Sequence, residues 1–299
     1  MSTFLFLTIL FLTSFGGKAF SKLCSDAVVG HSKVRYAVFM VVNGSVACLF
    51  FFISGGFSVD VNFPTLLYSA VYALIVVVSL VSNMIALKYV NIVTMTVVTG
   101  ALGLISTSAV GIWLFNESID AEKIIRIVIM TAAVVLFALD GKTAKKERSD
   151  ALGFSVTAVA VVAVMLIVNC ANTLITKYYA IDSRVCDANS FFFFTNVILV
   201  AVSLLLVTAD LIKNPSGFED ITPLFKPLNL LSLSGNTVCS NIGSLVGILI
   251  ISKMDVSVYA PVSSAIGILA GFLGSLVFRQ KMGLLSCLGV IGALVAVII

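Results

Sequence analysis

The chain is poor in charge. Lys, Arg, Asp and Glu make up 11% of its 299 residues, against about 25% in a soluble domain, whose surface needs them. Apolar residues make up 60%, and mean hydropathy is +1.16. So much apolar surface has nowhere to go in water, and lipid is its natural solvent. Histidine occurs once, as His31, in a polar gap where it reads as a loop residue. The six cysteines, Cys24, Cys48, Cys170, Cys186, Cys239 and Cys287, show no CxxC pairing and no regular spacing. That excludes a disulfide framework and a zinc site. Four of them lie inside apolar runs, where cysteine acts as a small hydrophobe. All fourteen carboxylates fall in polar gaps or at the ends of runs. Proton antiport through an acid buried in the first helix is disfavoured by this. So is hydrolysis within the membrane, which needs buried acids or several histidines. The net charge of +4 is carried in short gaps and implies no nucleic-acid partner.

What the sequence does have is long apolar runs. About 20 apolar residues are needed for a helix to cross the hydrocarbon layer. Ten runs approach or meet that length: Thr3–Lys22, Val34–Ile53, Pro64–Lys88, Ile92–Phe115, Ile124–Leu139, Ala151–Lys177, Ser190–Ile212, Leu230–Ile251, Val256–Phe278 and Gly283–Ile299. Met1–Phe20 reads as part of the first helix rather than a cleaved signal, since no basic segment precedes it. No gap is long enough for an extramembrane domain. With the backbone in lipid, helices are the spanning element; a β-barrel would show alternating segments of about ten residues.

The chain also repeats itself. Gly100–Glu117 (GALGLISTSAVGIWLFNE) aligns without gaps with Ser263–Gln280 (SSAIGILAGFLGSLVFRQ), pairing Gly111 with Gly274, Phe115 with Phe278 and Glu117 with Gln280. Upstream, Phe39–Asn43 (FMVVN) pairs with Phe192–Asn196 (FFFTN). Five helices therefore fall in residues 1–140 and five in residues 151–299, with 141–150 as the linker. An odd number of helices per repeat inverts the second copy, a common construction in secondary transporters. The expected fold is all-α and membrane-embedded: ten transmembrane helices as two inverted five-helix repeats.

Short motifs along the whole length carry a family resemblance. They are Gly16-Gly17 and then Lys22 closing the first run, Arg35 opening the second, and Ala86-Leu87-Lys88-Tyr89 closing the third. Leu114-Phe115-Asn116-Glu117, Val258-Tyr259-Ala260-Pro261 and Ile291-Gly292-Ala293-Leu294 continue the series. In this order and spacing the chain resembles the ten-helix, EamA-type members of the drug/metabolite transporter superfamily, kin of the nucleotide-sugar and triose-phosphate transporters. It departs at Arg279-Gln280, where Gly-Glu is usual, at Leu104 in place of a proline, and in lacking a first-helix tryptophan. The resemblance implies a secondary transporter that moves a small polar metabolite or drug-like solute by alternating access through a central cavity. That cavity is built from the first, third, fourth, sixth, eighth and ninth helices.

An ionisable residue within a span is a candidate for function by default. Lys18 is the leading one. Its stem can snorkel to the interface, or its ammonium can face the cavity and meet an anionic substrate; the related position in the second half, near Asn172-Thr173, is also polar. The neutral candidates on suitable helices are Tyr72, Asn83, Thr96, Asn172, Asn236, Asn241, Tyr259 and Ser263. Singly, such groups often only join helix to helix, at about 0.6 kcal/mol each; as a set they describe a polar-lined cavity. Asn43 and Asn196 are related by the repeat and read as packing or gating residues. No catalytic residue, metal ligand or cofactor is expected. The expected partners are a small-molecule substrate and the lipid bilayer, with the chain a monomer or homodimer in a cell membrane of the bacterial plasma-membrane type. The other readings are a polytopic membrane enzyme and a channel or scaffold without carrier activity. Thirteen of the eighteen Lys and Arg residues fall on the side away from the N-terminus, so the positive-inside rule puts both termini outside. The family usually has them in the cytoplasm, and the orientation stays open.

Overall fold

A computed structural model describes residues 3–28, 33–89, 110–115, most of 121–136, 156–213, 221–222, 224–253, 256–277 and 284–298. Among the described residues all regular structure is helical. Eight long helices are defined: α1 (Thr3–Val28), α2 (Lys33–Ser54), α3 (Phe63–Tyr89), α4 (Val156–Ile181), α5 (Ala188–Lys213), α6 (Pro227–Ile251), α7 (Val256–Val277) and α8 (Leu284–Ile298). Shorter helical stretches lie at 110–115 and within 121–136. Each long helix sits on one of the apolar runs. Four stretches are long and apolar enough to cross a membrane: Val34–Ser54, Ala163–Ile181, Ala188–Lys213 and Pro227–Ile251, with mean hydropathies from 1.3 to 2.4. The outer surface is apolar too, with Trp113 and Ile212 each 82% exposed and Leu284 78% exposed. Long apolar helices with a surface of this kind are those of a membrane-embedded protein.

The helix starts follow local chemistry. Pro227, with its fixed φ and no N–H to lose, begins α6 after an extended Lys226. Asn62 caps α3, its side-chain oxygen accepting the Thr65 N–H at 2.8 Å. Asp187 caps α5, accepting the N–H groups of Asn189 and Ser190 at 3.2 Å each. Burial pushes the Asp187 carboxyl up, but the bonds from Ser190 and Asn189 outweigh this and hold it below its ordinary value. α2 ends in a turn where Gly56 (φ +70°) and then Phe57 (φ +63°) adopt the left-handed conformation.

The packing is built on a few principal pairings. α2 lies along α5, α1 along α6, and α3 along both α4 and α5; α7 packs on α1 and α8. The α2–α5 pair is close because Gly44 has no side chain. A Cβ there would stand 2.6 Å from Val200 Cγ2 and 3.4 Å from the Asn196 carbonyl. Asn196 stays inside by donating to the Phe192 carbonyl at 2.8 Å, and Asn43 meets the Thr237 hydroxyl of α6.

One end of the bundle is stitched shut. There the α2–α3 connection meets the α4–α5 connection. Asn62 Nδ2 donates to the Arg184 carbonyl at 2.7 Å, and the Cys186 N–H donates to Thr65 Oγ1 at 2.9 Å. The Asp60 N–H donates to Ser190 Oγ at 3.0 Å, and Ser69 Oγ donates to the Phe191 carbonyl at 2.9 Å. Tyr179 Oη lies 2.8 Å from the carbonyls of both Cys186 and Asp187. Arg184 pairs with Asp182 at 2.8 Å; its guanidinium and its N–H hold that carboxyl well below the usual carboxylate range. Beneath this polar layer is an aromatic one. Tyr179 stacks on Phe191 with centroids 4.2 Å apart, Phe51 stacks on Phe192 at 5.0 Å, and Tyr72 closes on Phe191 at 5.1 Å.

The close α2–α5 approach makes a testable statement. Val200 is β-branched and stiff in a helix, so Gly44→Ala overpacks the crossing, at about 1–3 kcal/mol. At Gly274 an added Cβ meets nothing within 4 Å, and alanine there gains helix propensity of roughly 1 kcal/mol. Thermal unfolding of the purified protein should show a lower Tm for Gly44→Ala and an equal or higher one for Gly274→Ala. Equal shifts in the two variants would contradict the packing.

Candidate functional site

Two helices supply most of the site, and both do so with one stripe. On α1 the residues are Leu10, Thr13, Ser14, Gly17 and Lys18; on α6 they are Asn236, Cys239, Ser240, Gly243, Ser244, Gly247, Ile248 and Ile251. Spacings of three and one repeat along both, which is a single helical face. Glycine sets how near the faces come. A Cβ on Gly16 would lie 2.9 Å from Cys239 Sγ, one on Gly17 3.6 Å from Asn236 Oδ1, and one on Gly243 3.4 Å from Thr13 Oγ1. Small residues of this kind let helix backbones approach in lipid.

Other helices complete a cavity of about 560 Å³, a size that suits a small-molecule ligand. Tyr72 of α3, Asn172, Thr173 and Thr176 of α4, Phe192 of α5, and Tyr259 and Gly267 of α7 line it. Phe192, Ile248, Ile251 and Tyr259 form a floor against the stitched end. From Ile251 to Asn236 the wall rises through about 22 Å of helix. A Cβ on Gly247 would touch the Tyr259 hydroxyl at 2.8 Å, so the floor ring is seated by that glycine.

The polar groups of the wall fall into two kinds. Most hydroxyls bond to their own helix: Thr13 to the Ile9 carbonyl at 2.8 Å, Thr173 to Asn169 at 3.0 Å, Thr176 to Asn172 at 2.8 Å and Ser244 to Ser240 at 3.0 Å. The Tyr72 hydroxyl lies against Asn172 and Thr176. Asn172 Oδ1, however, is buried and has no hydrogen-bond partner. Lys18 is the one cationic side chain among the described lining residues, and no Asp, Glu or His lines the cavity among them. Among the described residues no group of three or more His, Cys, Asp and Glu comes together.

Of the residues singled out from sequence, the structure brings Lys18, Tyr72, Asn172, Asn236 and Tyr259 to one cavity. Asn241 is off the α6 stripe, and its Nδ2 is buried without a hydrogen-bond partner. Ser263 is on the face of α7 that carries Tyr259 and Gly267 but is not part of the lining. Thr96 lies outside the described residues, and of Asn83 only its place on α3 is described. The sequence reading passed over Thr13, Ser14, Thr176, Ser240 and Ser244. Their signal was available as small polar residues recurring at three and four within runs otherwise apolar.

No protein-family model matches the chain, and no curated protein does. A solved structure described as "Crystal structure of protein" superposes with a TM-score of 0.59, covering 98% of this chain and 96% of that chain at 14% identity. At that identity the likeness speaks for the fold alone.

The two faces of α6 can be told apart chemically. Ser240 is exposed and lines the cavity, while Thr237, three residues away at nearly the same depth, is 2% exposed and packs toward α2. In a cysteine-free background in intact membranes, a small water-borne methanethiosulfonate should modify Ser240→Cys at least about tenfold faster than Thr237→Cys, because only a wetted thiol forms the reactive thiolate. Equal rates would mean that the stripe does not face a water-filled space.

Proposed function

We propose that this chain is a secondary transporter of the EamA-type drug/metabolite kind, moving a small polar solute by alternating access through the α1–α6 cavity. The observation that carries the reading is the cavity itself. A space of about 560 Å³ with a lysine, amides and hydroxyls on its wall lies within a bundle whose outside is apolar. A structural scaffold has no use for a polar hollow of this size at membrane depth, and polar residues there mark solute pathways. The cavity is also floored at one end by the aromatic and hydrogen-bonded layers, as a carrier occluded from one side requires.

The ten-helix arrangement as two inverted five-helix repeats belongs to the same proposal. If residues 1–140 and 151–299 are related by a two-fold axis in the membrane plane, α1, α2 and α3 correspond to α4, α5 and α6. The α2–α5 pair then lies on the axis, and α1–α6 is the image of α3–α4. These are three of the principal pairings in the bundle, which supports the relation. Transporters of this construction bind their substrate near the midplane between the repeats; Lys18, Asn172 and Asn236, which line one cavity, are the residues such a site would use. No enzymatic step is proposed, and the protein works as a monomer or homodimer.

Reconstituted liposomes test the reading. A labelled panel of carboxylates, sugars and amines should include a solute taken up saturably and accelerated by the same solute inside. Flux that never saturates would point to a channel instead. Ser240→Trp, which fills the cavity, should cut that uptake at least about tenfold, a barrier of roughly 1.4 kcal/mol. Leu205→Trp, on the exposed outer face, should leave it unchanged.

A further inference from the structure

We propose that the cavity takes an uncharged solute with a polyhydroxyl head and an apolar tail, the head on Ser14, Asn236 and Ser240 and the tail on the floor. This rests on reading the cavity as a solute site. Charge is the first argument. No acid lines the cavity among the described residues, and the fourth apolar run, Ile92–Phe115, has no Asp, Glu, Lys, Arg or His in its sequence. Lys18 is on the wall but is already engaged within the protein. A cationic solute finds no counter-charge here, and an anionic one has to draw Lys18 from its present partner. An uncompensated charge held away from water costs far more than a hydroxyl that finds a bond.

Hydrogen bonding is the second argument. Thr13, Thr173, Thr176 and Ser244 spend their hydroxyl protons on carbonyls of their own helices. Among the described residues, the side chains of Ser14, Asn236 and Ser240 make no hydrogen bond. These three are neighbours. Asn236 and Ser240 are four apart on α6, one above the other. Ser14 is three residues from Gly17 on the facing stripe of α1. A Cβ on Gly17 would be in van der Waals contact with Asn236 Oδ1 and Ser240 Oγ, at 3.6 and 3.7 Å. With its oxygen packed there, Asn236 still has two amide N–H donors, and each serine both donates and accepts. Adjacent hydroxyls of one solute answer that set, because each accepts from the amide and exchanges a bond with a serine.

The floor is the third argument. About 10 Å of helix separates Ser240 from Gly247, at the level of the Tyr259 hydroxyl. Phe192, Ile248 and Ile251, with the rings of Tyr72 and Tyr259, offer no charged partner there. They receive an alkyl or aryl group, whose burial adds affinity in proportion to its area. A polyol head joined to such a group is the chemistry of an aryl glycoside.

The purified full-length chain in phospholipid nanodiscs is the system, since glycoside detergents would compete. Binding is read by equilibrium dialysis and thermal shift. The probes are phenyl glycosides of several neutral hexoses and pentoses, each beside its methyl glycoside. The phenyl glycosides of the corresponding uronic acid and amino sugar are the charge controls on one skeleton. At least one neutral phenyl glycoside should bind saturably, about tenfold or more tighter than its acid, amine and methyl counterparts. Asn236→Ala and Ser240→Ala should each weaken it about tenfold, the range of one hydrogen bond. Among its singly deoxygenated analogues, one should be insensitive to Asn236→Ala, a result that a merely structural role would not give. Should a variant fail to fold, the neutral and charged probes still decide on the unaltered protein.

The proposal is overturned if no neutral glycoside binds, if the acid or amine binds as well, if the methyl glycoside matches the phenyl one, or if Asn236→Ala weakens every deoxy analogue alike. Liposome counterflow separates it from the transport reading. Binding of a neutral glycoside that is never moved would leave this inference standing and remove the carrier. Saturable counterflow of a charged solute, with no neutral glycoside bound, would do the reverse.

Discussion

Lipid offers no hydrogen bonds, and the arrangement of this molecule follows from that. Every backbone polar group that faces lipid must find a partner within the protein, and side-chain groups are pressed the same way. The hydroxyls do so locally. Thr13, Thr131, Thr173, Thr176, Thr195, Ser232 and Thr237 each return a bond to the carbonyl four residues earlier. Such residues are polar in name and nearly apolar in effect, which lets the helices carry them at little penalty. Amides differ, because an amide has two donors and two acceptor sites and cannot satisfy all of them on its own helix. Asn196 reaches its own helix with one donor, and Asn43 needs Thr237 of another helix. Asn172 is left with an open oxygen, and Asn241 with an open nitrogen. The polar wall of the cavity is chemically uneven, with most of its threonine hydroxyls closed on their own helices and the Asn172 oxygen open.

The eight long helices were legible because one signal dominates the sequence. Apolar runs of membrane-crossing length are bounded by charge and proline, and the helices begin and end within a few residues of those bounds. The ends were less legible for a local reason. α1 continues past Lys22 to Val28, and α4 continues past Lys177 to Ile181, since a charged side chain at the interface does not stop a helix. The stitched end was invisible in the sequence. Asn62, Thr65, Arg184 and Cys186 are ordinary residues of polar gaps, and their bonds join segments more than a hundred residues apart.

The site was half legible. Lys18 and the amides stand out in an apolar background because charge and amide are rare there. Serine, threonine and glycine do not stand out, since they serve packing as often as binding. What distinguishes Ser240 from Ser232 is the face each occupies. Ser240 looks onto the hollow, while Ser232 is 2% exposed and bonded to Leu228. The three-and-one spacing carries that information only once two stripes, on α1 and α6, are known to oppose each other.

The closed end is made of two unlike layers, and they would part under different thermodynamics. The outer bonds from Asn62 to the Arg184 carbonyl and from Arg184 to Asp182 are exposed, and water can replace them nearly one for one. The inner stack of Phe51, Tyr72, Tyr179, Phe191 and Phe192 has no such substitute. Parting it wets ring surface, and wetting apolar surface raises heat capacity. Motion at this end thus acquires a curved dependence on temperature, with the aromatic layer as the element that feels both cold and heat. A van't Hoff plot of accessibility at this end would carry that curvature, and a straight line would mean that the rings stay together while the outer bonds come and go.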